Sequence, residues 1–495
     1  KETESNEIFR MINLFDPALS IHQARMTSNQ PQWNVRKTGL KEVSDSEIDV
    51  ANLLLNNMWT GSYDVNHALQ RKMKLFIRHG YLQGGRLAYY RYDPDKDLPV
   101  METYPLWDVF ADTSAKDGNV DDMNWIIIPT SMSVKKLKRT AETTDDDGWN
   151  KKLAKKVSAD GRMAESRFHE DYIRRRMGNT SKNRDTDLIH QVFSYENSRI
   201  IFERVAENGV IYNRELPFSC LGEIFYCYHP VDTGEFYARP LSWSWIDPQK
   251  TFNKIYSNIE NYIECFGQGR WIVADKRISL PRAGRHGQII YGIPGQIAQM
   301  DMSSLPSTHF AMLERALSAF EQVSGVHSES LGRLGGSIES GVGIAQLQAM
   351  DEMNTADPVD NYKMFLRRSG AKLLRIASEN WDTIRPEYKE EDEMEIDIIG
   401  ENAVNSRKNS IPDGVVPVRP FTHLETEIIV GQFNSSLQKR RDLQEILSVY
   451  QPGRDPNADK FVLPMIMDVY DIGSTKDLMK YLEDVDNPRE RVADA

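Results

Sequence analysis

The sequence contains no run of about 18 consecutive apolar residues, the length that a helix needs to cross a bilayer. It has only three cysteines, Cys220, Cys227 and Cys265, and their spacing does not match a metal site. So few cysteines are typical of a reducing cytoplasm, and we expect all three to be core thiols. No signal peptide stands at the start given, and because Lys1 is not Met we expect further residues before it. These absences argue against a secreted, disulfide-rich or membrane-spanning protein.

The common catalytic motifs are also missing, namely GxxxxGK[ST], GxGxxG after a strand, GxSxG and HExxH. The run GRLGGSIESG has the glycines of a phosphate-binding loop, but it lacks the lysine and follows a predicted helix rather than a strand. The ten histidines are scattered, and the acidic groups at 121–122 and 145–147 lie in turn-like stretches without a partner cluster. The sequence therefore predicts no catalytic residue, no metal site and no cofactor.

Negative charge predominates, with 73 acidic against 61 basic residues and a net charge of −12. This balance argues against a protein that holds DNA along a broad basic face, although an ordinary acidic protein would carry the same charge. A charged stretch from about residue 151 ends in Arg174, Arg175 and Arg176. It is either a nucleic-acid patch or a solvated helix face. The second interpretation is favoured because Glu and Asp are interleaved and no aromatic series accompanies the arginines.

The 495 residues, 40% of them hydrophobic, predict two to four globular units. Residues 1 to about 75 are predicted to be largely helical, and the last of these helices should end at Gly80. Strands are predicted for GGRLAYYRYD, LPVMETYPLWDVFADT and WIIIP, after which Ser133 caps a short helix. A hairpin is predicted at Asn208-Gly209, and strands for EMEIDIIGEN and HLETEIIVGQF. The predicted fold class is α+β.

The most distinctive stretch runs from Trp243 to Trp381. A helix that begins near Asp247-Pro248 precedes an insert at 267–306, which is rich in Gly and Pro and carries short β-like runs. A second helix is predicted at 307–324, followed by the glycine-rich loop GVHSESLGRLGGSIESGVG. A long helix then runs from about Ser340 to Trp381. We expect it to kink at Asp357-Pro358, because proline removes a helical hydrogen bond.

Apolar side chains repeat at helical spacing in both helices that flank the insert, so each helix should have one packing stripe. The stripe residues are Phe252, Ile255, Ile259 and Ile263 in the first helix and Phe310, Leu313 and Leu317 in the second. The series Trp243, Trp245, Phe252 and Tyr256 resembles a base-stacking platform. Packing in the core or between subunits is favoured, because these side chains lie on the stripe and at its entry.

The order helix, β insert, helix, glycine-rich loop and long helix resembles the portal proteins of tailed bacteriophages. Three stretches carry the resemblance: FYARPLSWSWIDPQKTFNKIYS, SGVHSESLGRLGGSIESGVGIAQLQ and YPLWDVFADTSAKDGNVDDMNWIIIPTSMSVKKLK. They cover about a fifth of the chain directly. Their order along the chain extends the resemblance to the rest.

The resemblance implies a portal-type fold with an α/β wing, a two-helix stem, a small α/β clip and a helical crown. It assigns residues 1–242 to the N-terminal part of the wing, 243–266 and 307–324 to the two stem helices, 267–306 to the clip, 325–340 to the tunnel loop, 341–433 to the long kinked helix and the C-terminal part of the wing, and 434–495 to the crown and tail. No role is implied for residues 141–187, the least family-like segment.

The resemblance also implies a function. A dodecameric ring at the capsid vertex would be the channel through which double-stranded DNA is packaged and ejected, without sequence specificity and without enzymatic activity. It would dock the large terminase and then head-completion or adaptor proteins, and contact the major capsid and scaffolding proteins. The ring would assemble in the host cytoplasm, reside in the virion and touch no membrane. An acidic chain suits such a channel, because acidic walls repel phosphates and let DNA slide.

Three sets of residues are the predicted sites. The stem stripe residues would pack between or within subunits. The clip would dock partners through Arg270, Lys276, Arg277, Arg282 and Arg285. The tunnel loop would contact DNA phosphates through Ser328, Ser330, Arg333 and Ser337. For the clip an ordinary charged loop surface is an equal alternative, and for Arg333 the alternative is an ion pair with Glu329 or Glu339.

Two other functions stay open from the sequence alone. One is a different structural ring of the virion, such as a tail or head-completion protein. The other is a cytoplasmic enzyme whose motif does not match a known pattern. A particle image would separate them, because a portal gives a ring whose central hole is wide enough for duplex DNA.

Overall fold

The computed structural model describes residues 10–27, 31–36, 43–143, 146–159, 185–266, 271–273, 297–299, 307–326, 356–389, 394–406, 412, 414–422 and 424–430. The helices are α1 Phe15–Thr27, α2 Asp45–Thr60, α3 Leu69–Gln83, α4 Val134–Thr143, α5 Lys151–Lys156, α6 Ile246–Phe266, α7 Ser307–Ser324, α8 Ala356–Asn380 and α9 Glu401–Ser406. One compact unit comprises Lys1–Thr27 and Gln32–Ile429, and the second, Ser28–Pro31 with Val430–Ala495, lies almost entirely outside the described residues.

The strands are β1 Pro31–Val35, β2 Arg86–Asp93, β3 Leu98–Pro105, β4 Phe110–Ala111, β5 Trp125–Ser133, β6 Thr186–Glu196, β7 Arg199–Ala206, β8 Gly209–Leu216, β9 Phe225–Tyr228, β10 Trp271–Val273, β11 Ile297–Gln299, β12 Arg385–Lys389, β13 Met394–Gly400, β14 Val416–Val418 and β15 Thr426–Val430. They form sheets in the orders β4-β5-β6-β7-β8, β3-β2-β9 and β12-β13-β14, with the pairs β1-β15 and β10-β11. The mixed α+β class predicted from the sequence is confirmed.

The five-stranded sheet is antiparallel throughout and buries one face. Its strands alternate, so that Ile126 and Ile128 of β5 and Phe193 of β6 point into the core while their neighbours are less buried. Helices α4 and α5 cover this face, packing against β5 and β8. The predicted hairpin at Asn208-Gly209 is confirmed as the β7–β8 turn. Strand β9 follows this hairpin before α6 and joins the other sheet.

The prediction of one strand over LPVMETYPLWDVFADT is wrong, because this stretch forms two strands that belong to two different sheets. Strand β3 ends at Pro105, a 3-10 turn follows at Leu106–Asp108, and β4 then pairs with β5. Proline cannot donate to a strand ladder, and the buried Leu106 turns the chain toward the second sheet. The predicted cap at Ser133 is present, since its Oγ accepts from the Lys136 amide at 3.4 Å.

Helix α8 packs on the sheet β3-β2-β9, with α2 and the sheet β12-β13-β14 also in contact with it. Its buried side chains include Tyr362, Phe365 and Leu366, each at most 1% exposed. The Phe365 ring lies 4.6 Å from that of Phe76 on α3, and the Tyr90 and Ser369 hydroxyls share a hydrogen bond of 2.6 Å. The kink expected at Asp357-Pro358 stays a prediction, because the residues before Ala356 lie outside the described part of the chain.

Helix α3 does not end at Gly80 as the sequence predicts. It continues to Gln83 and ends at Gly84, whose φ of 85° is left-handed and whose amide bonds back to the Gly80 carbonyl at 3.0 Å. Gly80 instead serves packing, because an added Cβ there would lie 2.7 Å from Pro230. The sequence favoured Gly80 as the end of the helix, whereas its close contact with Pro230, which is distant in sequence, shows that Gly80 is needed for packing.

Candidate functional site

The helical hairpin α6–α7 flanks the predicted clip, and its two helices pack against each other. The predicted start near Asp247 and the predicted bounds 307–324 agree with the observed Ile246–Phe266 and Ser307–Ser324. Asp247 and Pro248 both lie in the first turn of α6, where an acidic side chain and a missing amide donor are tolerated best. The helices exist as predicted.

The predicted stripe divides into a buried and an exposed part. Phe252 and Ile259 of α6 are 7% and 5% exposed, and Ile255 is half-buried. On α7 the predicted Leu313 and Leu317 are half-buried, and Phe320, which continues the same predicted spacing, is buried. The sequence missed Ala316, which is also buried.

The exposed part of the stripe lies toward the end of the hairpin that adjoins the insert. Ile263 is 54% exposed near the end of α6, and Phe310 is 50% exposed near the start of α7, where Met312 is also exposed. Because an antiparallel hairpin places the end of one helix beside the start of the next, these side chains form an apolar end to the hairpin. Within a single copy of the chain they are open to solvent.

An aromatic cluster holds the other end of the hairpin around Trp245, which is 1% exposed. The rings of Phe15, His22 and Phe320 lie 5.5 Å, 5.8 Å and 6.1 Å from it. The prediction of core packing for Trp245 and Phe252 is confirmed. Trp243 differs, because it is 52% exposed and lies under the Arg239 guanidinium at 5.0 Å.

The end of α7 leads into the predicted tunnel loop, and α1 fixes it there. His22 Nε2 donates to the carbonyl of Ser324, the last residue of α7, over 2.9 Å. Gly325 follows with a left-handed φ of 67°, and its amide bonds to the Glu321 carbonyl at 3.0 Å. The N-terminal helix therefore anchors the root of the loop, a role that no sequence motif indicated.

The N-terminal arm, residues 10–14, lies along α6 and is held by polar side chains. Gln249 Oε1, Asn253 Oδ1 and Ser257 Oγ accept from the amides of residues 14, 12 and 10 at 2.8, 3.0 and 3.0 Å. Gln249 Nε2 also donates to the Ile12 carbonyl at 2.7 Å. Asn253 and Ser257 are buried, at 5% and 4% exposed.

The spacing of this ladder follows from backbone geometry. Four helical residues rise about 6 Å, and two extended residues about 6.6–6.8 Å, so a polar side chain at every fourth helix position meets every second arm residue. The ladder ends at Glu260, whose carboxylate accepts from Arg10 Nε at 2.9 Å. The same carboxylate raises the pKa of the Tyr256 hydroxyl by hydrogen bonding. The apolar stripe of α6 was predicted from the sequence, and this polar one was not.

The remaining predicted site residues lie outside the described residues. For the clip the structure gives only the antiparallel pair β10–β11, in which Trp271 faces Gln299, so the two ends of the insert meet at its base. Arg270, Lys276, Arg277, Arg282 and Arg285 belong to the segments not described, as do the tunnel-loop residues Ser328, Ser330, Arg333 and Ser337.

Within the described part of the chain, no cluster of three or more His, Cys, Asp or Glu side chains could hold a metal ion. No helix described here is both long and apolar enough to span a membrane. Of the cysteines, Cys227 is buried, which confirms the prediction, whereas Cys220 is partly exposed. The side chain of Cys265 lies outside the described set.

A comparison with protein-family models matches residues 85–494 to the phage P22-like portal proteins. Because the match covers most of the chain, this protein belongs to that family. It is a structural protein and not an enzyme, and membership implies a ring-forming oligomer that interacts with capsid and terminase. The resemblance inferred from the sequence is confirmed. No curated protein matches the chain.

Proposed function

We propose that this chain forms a dodecameric ring at one vertex of the capsid, the channel through which double-stranded DNA enters during packaging and leaves during ejection. The observation that carries the proposal is the family match over residues 85–494, which spans the hairpin α6–α7, its insert and α8. The work is mechanical, and nucleotide hydrolysis belongs to the terminase that docks on the ring. The ring resides in the virion.

In this proposal α6 and α7 are the stem. Its buried stripe, with Phe252 and Ile259, stabilises the hairpin within each subunit. Its exposed apolar end, with Ile263 and Phe310, contacts the next copy in the ring. Large apolar side chains that are half exposed in one copy suit a heterologous interface, which closes when the rotations sum to a full circle. In this proposal, residues that the sequence grouped in one stripe have different roles.

The loop that begins at Gly325 is the tunnel loop of the proposed channel. Arg333 is its cationic side chain, and Ser328, Ser330 and Ser337 add hydroxyls, a combination that touches phosphates without reading bases. The support from the described residues is the fixed root, where His22 holds Ser324. A loop with a fixed root and several glycines can change conformation as DNA passes while its origin stays in place.

The clip at 267–306 docks the terminase and later the head-completion proteins. Five basic residues against two acidic ones give this segment a positive charge within an acidic chain. A positively charged clip surface raises the rate and specificity of docking to an acidic partner.

Reversal of two clip charges tests this function. Arg282→Glu with Arg285→Glu should weaken binding of the large terminase or the adaptor to purified rings, while the rings persist. The matched control is Lys74→Glu with Lys116→Glu, two exposed cations outside the clip. Binding of both partners that is unchanged at low salt would remove the clip from the docking surface.

A further inference from the structure

Helices α4 and α5 form a basic surface on a chain whose net charge is −12. Together they carry eight cationic side chains and one acidic one, Glu142. We call this surface the α4–α5 patch and define it by Lys135, Lys136, Lys138, Arg139, Lys151, Lys152, Lys155 and Lys156. Seven of these side chains are exposed and Lys138 is half-buried. Two basic runs that are separate in the sequence are thus adjacent in the fold.

Among the residues that the structure describes, two acidic side chains lie within salt-bridge distance of the patch. Lys155 pairs with Glu142 at 3.3 Å, and Lys135 approaches Asp185 at 4.0 Å. Among the described residues, the other six cations have no acidic partner within salt-bridge distance. The acidic residues that interleave the basic ones in the sequence after position 157 do not belong to these two helices.

The arrangement is unfavourable for the isolated helices. Lys135 and Arg139 are four residues apart on α4, and the same spacing joins two like-charged pairs on α5. Such pairs repel one another on a helix surface, and nearby anions relieve that repulsion. The charge pattern is therefore explained better by a bound polyanion than by the stability of the helices themselves.

The patch stands on a rigid base. The backbone N–H of Asn150 donates to the Ile211 carbonyl of β8 at 2.9 Å, and the backbone N–H of Asn213 donates to the Gly148 carbonyl at 3.0 Å. Beneath the helices, Trp149 packs on Tyr212 with ring centres 4.9 Å apart. On the other side of the patch, α4 buries Val134, Leu137 and Ala141 in the same core. The helix backbones that carry the cations are therefore held in place, which suits a ligand that is itself a regular array of charges.

We propose that the α4–α5 patch binds the phosphate backbone of duplex DNA, independently of base sequence and separately from the tunnel loop. An acidic protein is a poorer ligand, because protein interfaces centre on buried apolar or aromatic anchors and no large apolar side chain of α4 or α5 is exposed. Single-stranded DNA is also poorer, because its binding uses exposed aromatic rings on which bases stack. The cations of the patch need only phosphates as partners, and the release of counterions from the DNA makes binding more favourable.

The test compares two variants of the full chain with equal changes of charge. In the patch variant, Lys136, Arg139, Lys151 and Lys152 become Gln. In the control variant, Arg71, Lys74, Lys116 and Lys254 become Gln, which removes the same charges from exposed sites elsewhere. The probe is a fluorescent 40-base-pair duplex of mixed sequence, and binding is measured by anisotropy between about 50 and 200 mM NaCl. Polyglutamate and a single strand of the same sequence are the competing ligands.

Removal of four phosphate contacts should make the slope of log K against log salt shallower by about 3.6. At 50 mM salt the patch variant should bind duplex at least roughly tenfold more weakly, while the control variant stays within about twofold of the parent. Relief of like-charge repulsion should leave the patch variant at least as thermally stable as the parent.

Equal losses in both variants would attribute binding to overall charge and overturn the proposal. Absence of duplex binding by the parent would do the same. Tighter binding of polyglutamate than of duplex would assign the patch to an acidic protein partner instead. Because the assay does not require packaging or a closed ring, its failure is distinguishable from failure of the proposed channel function.

Discussion

Two isoleucines one turn apart on α6 give the sharpest test of how the stem is built. Ile259 is 5% exposed and Ile263 is 54% exposed in one copy of the chain. The same substitution, Ile→Asp, should therefore have different consequences at the two positions. At 259 it should affect the fold of each subunit, and at 263 only the proposed contact between subunits.

The magnitudes follow from burial. An uncompensated charge in a packed core costs about 3–5 kcal/mol, and the lost apolar contacts add to this. Because the whole stability of a domain is about 5–15 kcal/mol, Ile259→Asp should unfold or aggregate much of the protein. An exposed substitution typically changes stability by less than about 0.5 kcal/mol, so Ile263→Asp should fold normally. In a ring, however, it places one new charge in every subunit interface.

Sedimentation velocity and circular dichroism separate these effects. For Ile263→Asp we expect loss of rings with a parental circular dichroism spectrum, and for Ile259→Asp a lowered thermal midpoint with loss of helical signal. Ile384→Asp is the matched control, because Ile384 is 40% exposed and lies outside the hairpin. Rings of parental stability from Ile263→Asp would refute the assignment of the exposed end to a subunit interface. A parental midpoint for Ile259→Asp would refute the buried stripe.

Three further predictions concern the loop, the arm and pH. Arg333→Ala should leave ring assembly and terminase binding intact but lower packaged-genome yield or retention, and equal yields across salt concentrations would reduce the loop's role to flexibility. Asn253→Ala removes an arm hydrogen bond worth about 0.5–1.5 kcal/mol, so trypsin should cleave after Arg10 faster than in a variant of an exposed α6 asparagine. Burial and the adjacent Arg86 lower the pKa of His79 from 6.5 to about 4. Between these two pH values the unfolded chain therefore binds more protons than the folded chain. The free energy of unfolding should fall as pH decreases through that window, and in His79→Gln the urea midpoint should fall less steeply with pH.

The sequence predicted local structure well where one signal dominated. The Asp-Pro start of α6, the bounds of α7 and the Asn-Gly hairpin all depend on residues adjacent in the chain, and the structure has them. The family was also correct, because motif order needs no tertiary information.

What the sequence could not predict depends on contacts between distant residues. Gly80 and Gly84 are equivalent helix terminators by sequence, and the fit of Pro230 against Gly80 distinguishes them. Phe252 and Ile263 share one stripe, and only the tertiary structure shows which of them is covered. The ladder to the N-terminal arm was visible as a four-residue spacing of polar side chains, but its partner lies more than 200 residues away.

Electron microscopy of the purified protein is the most direct test of the proposed ring. We expect closed rings, with twelvefold symmetry in class averages and a central hole wide enough for duplex DNA. Monomers, open chains or rings without such a hole under conditions where the protein is folded would contradict it.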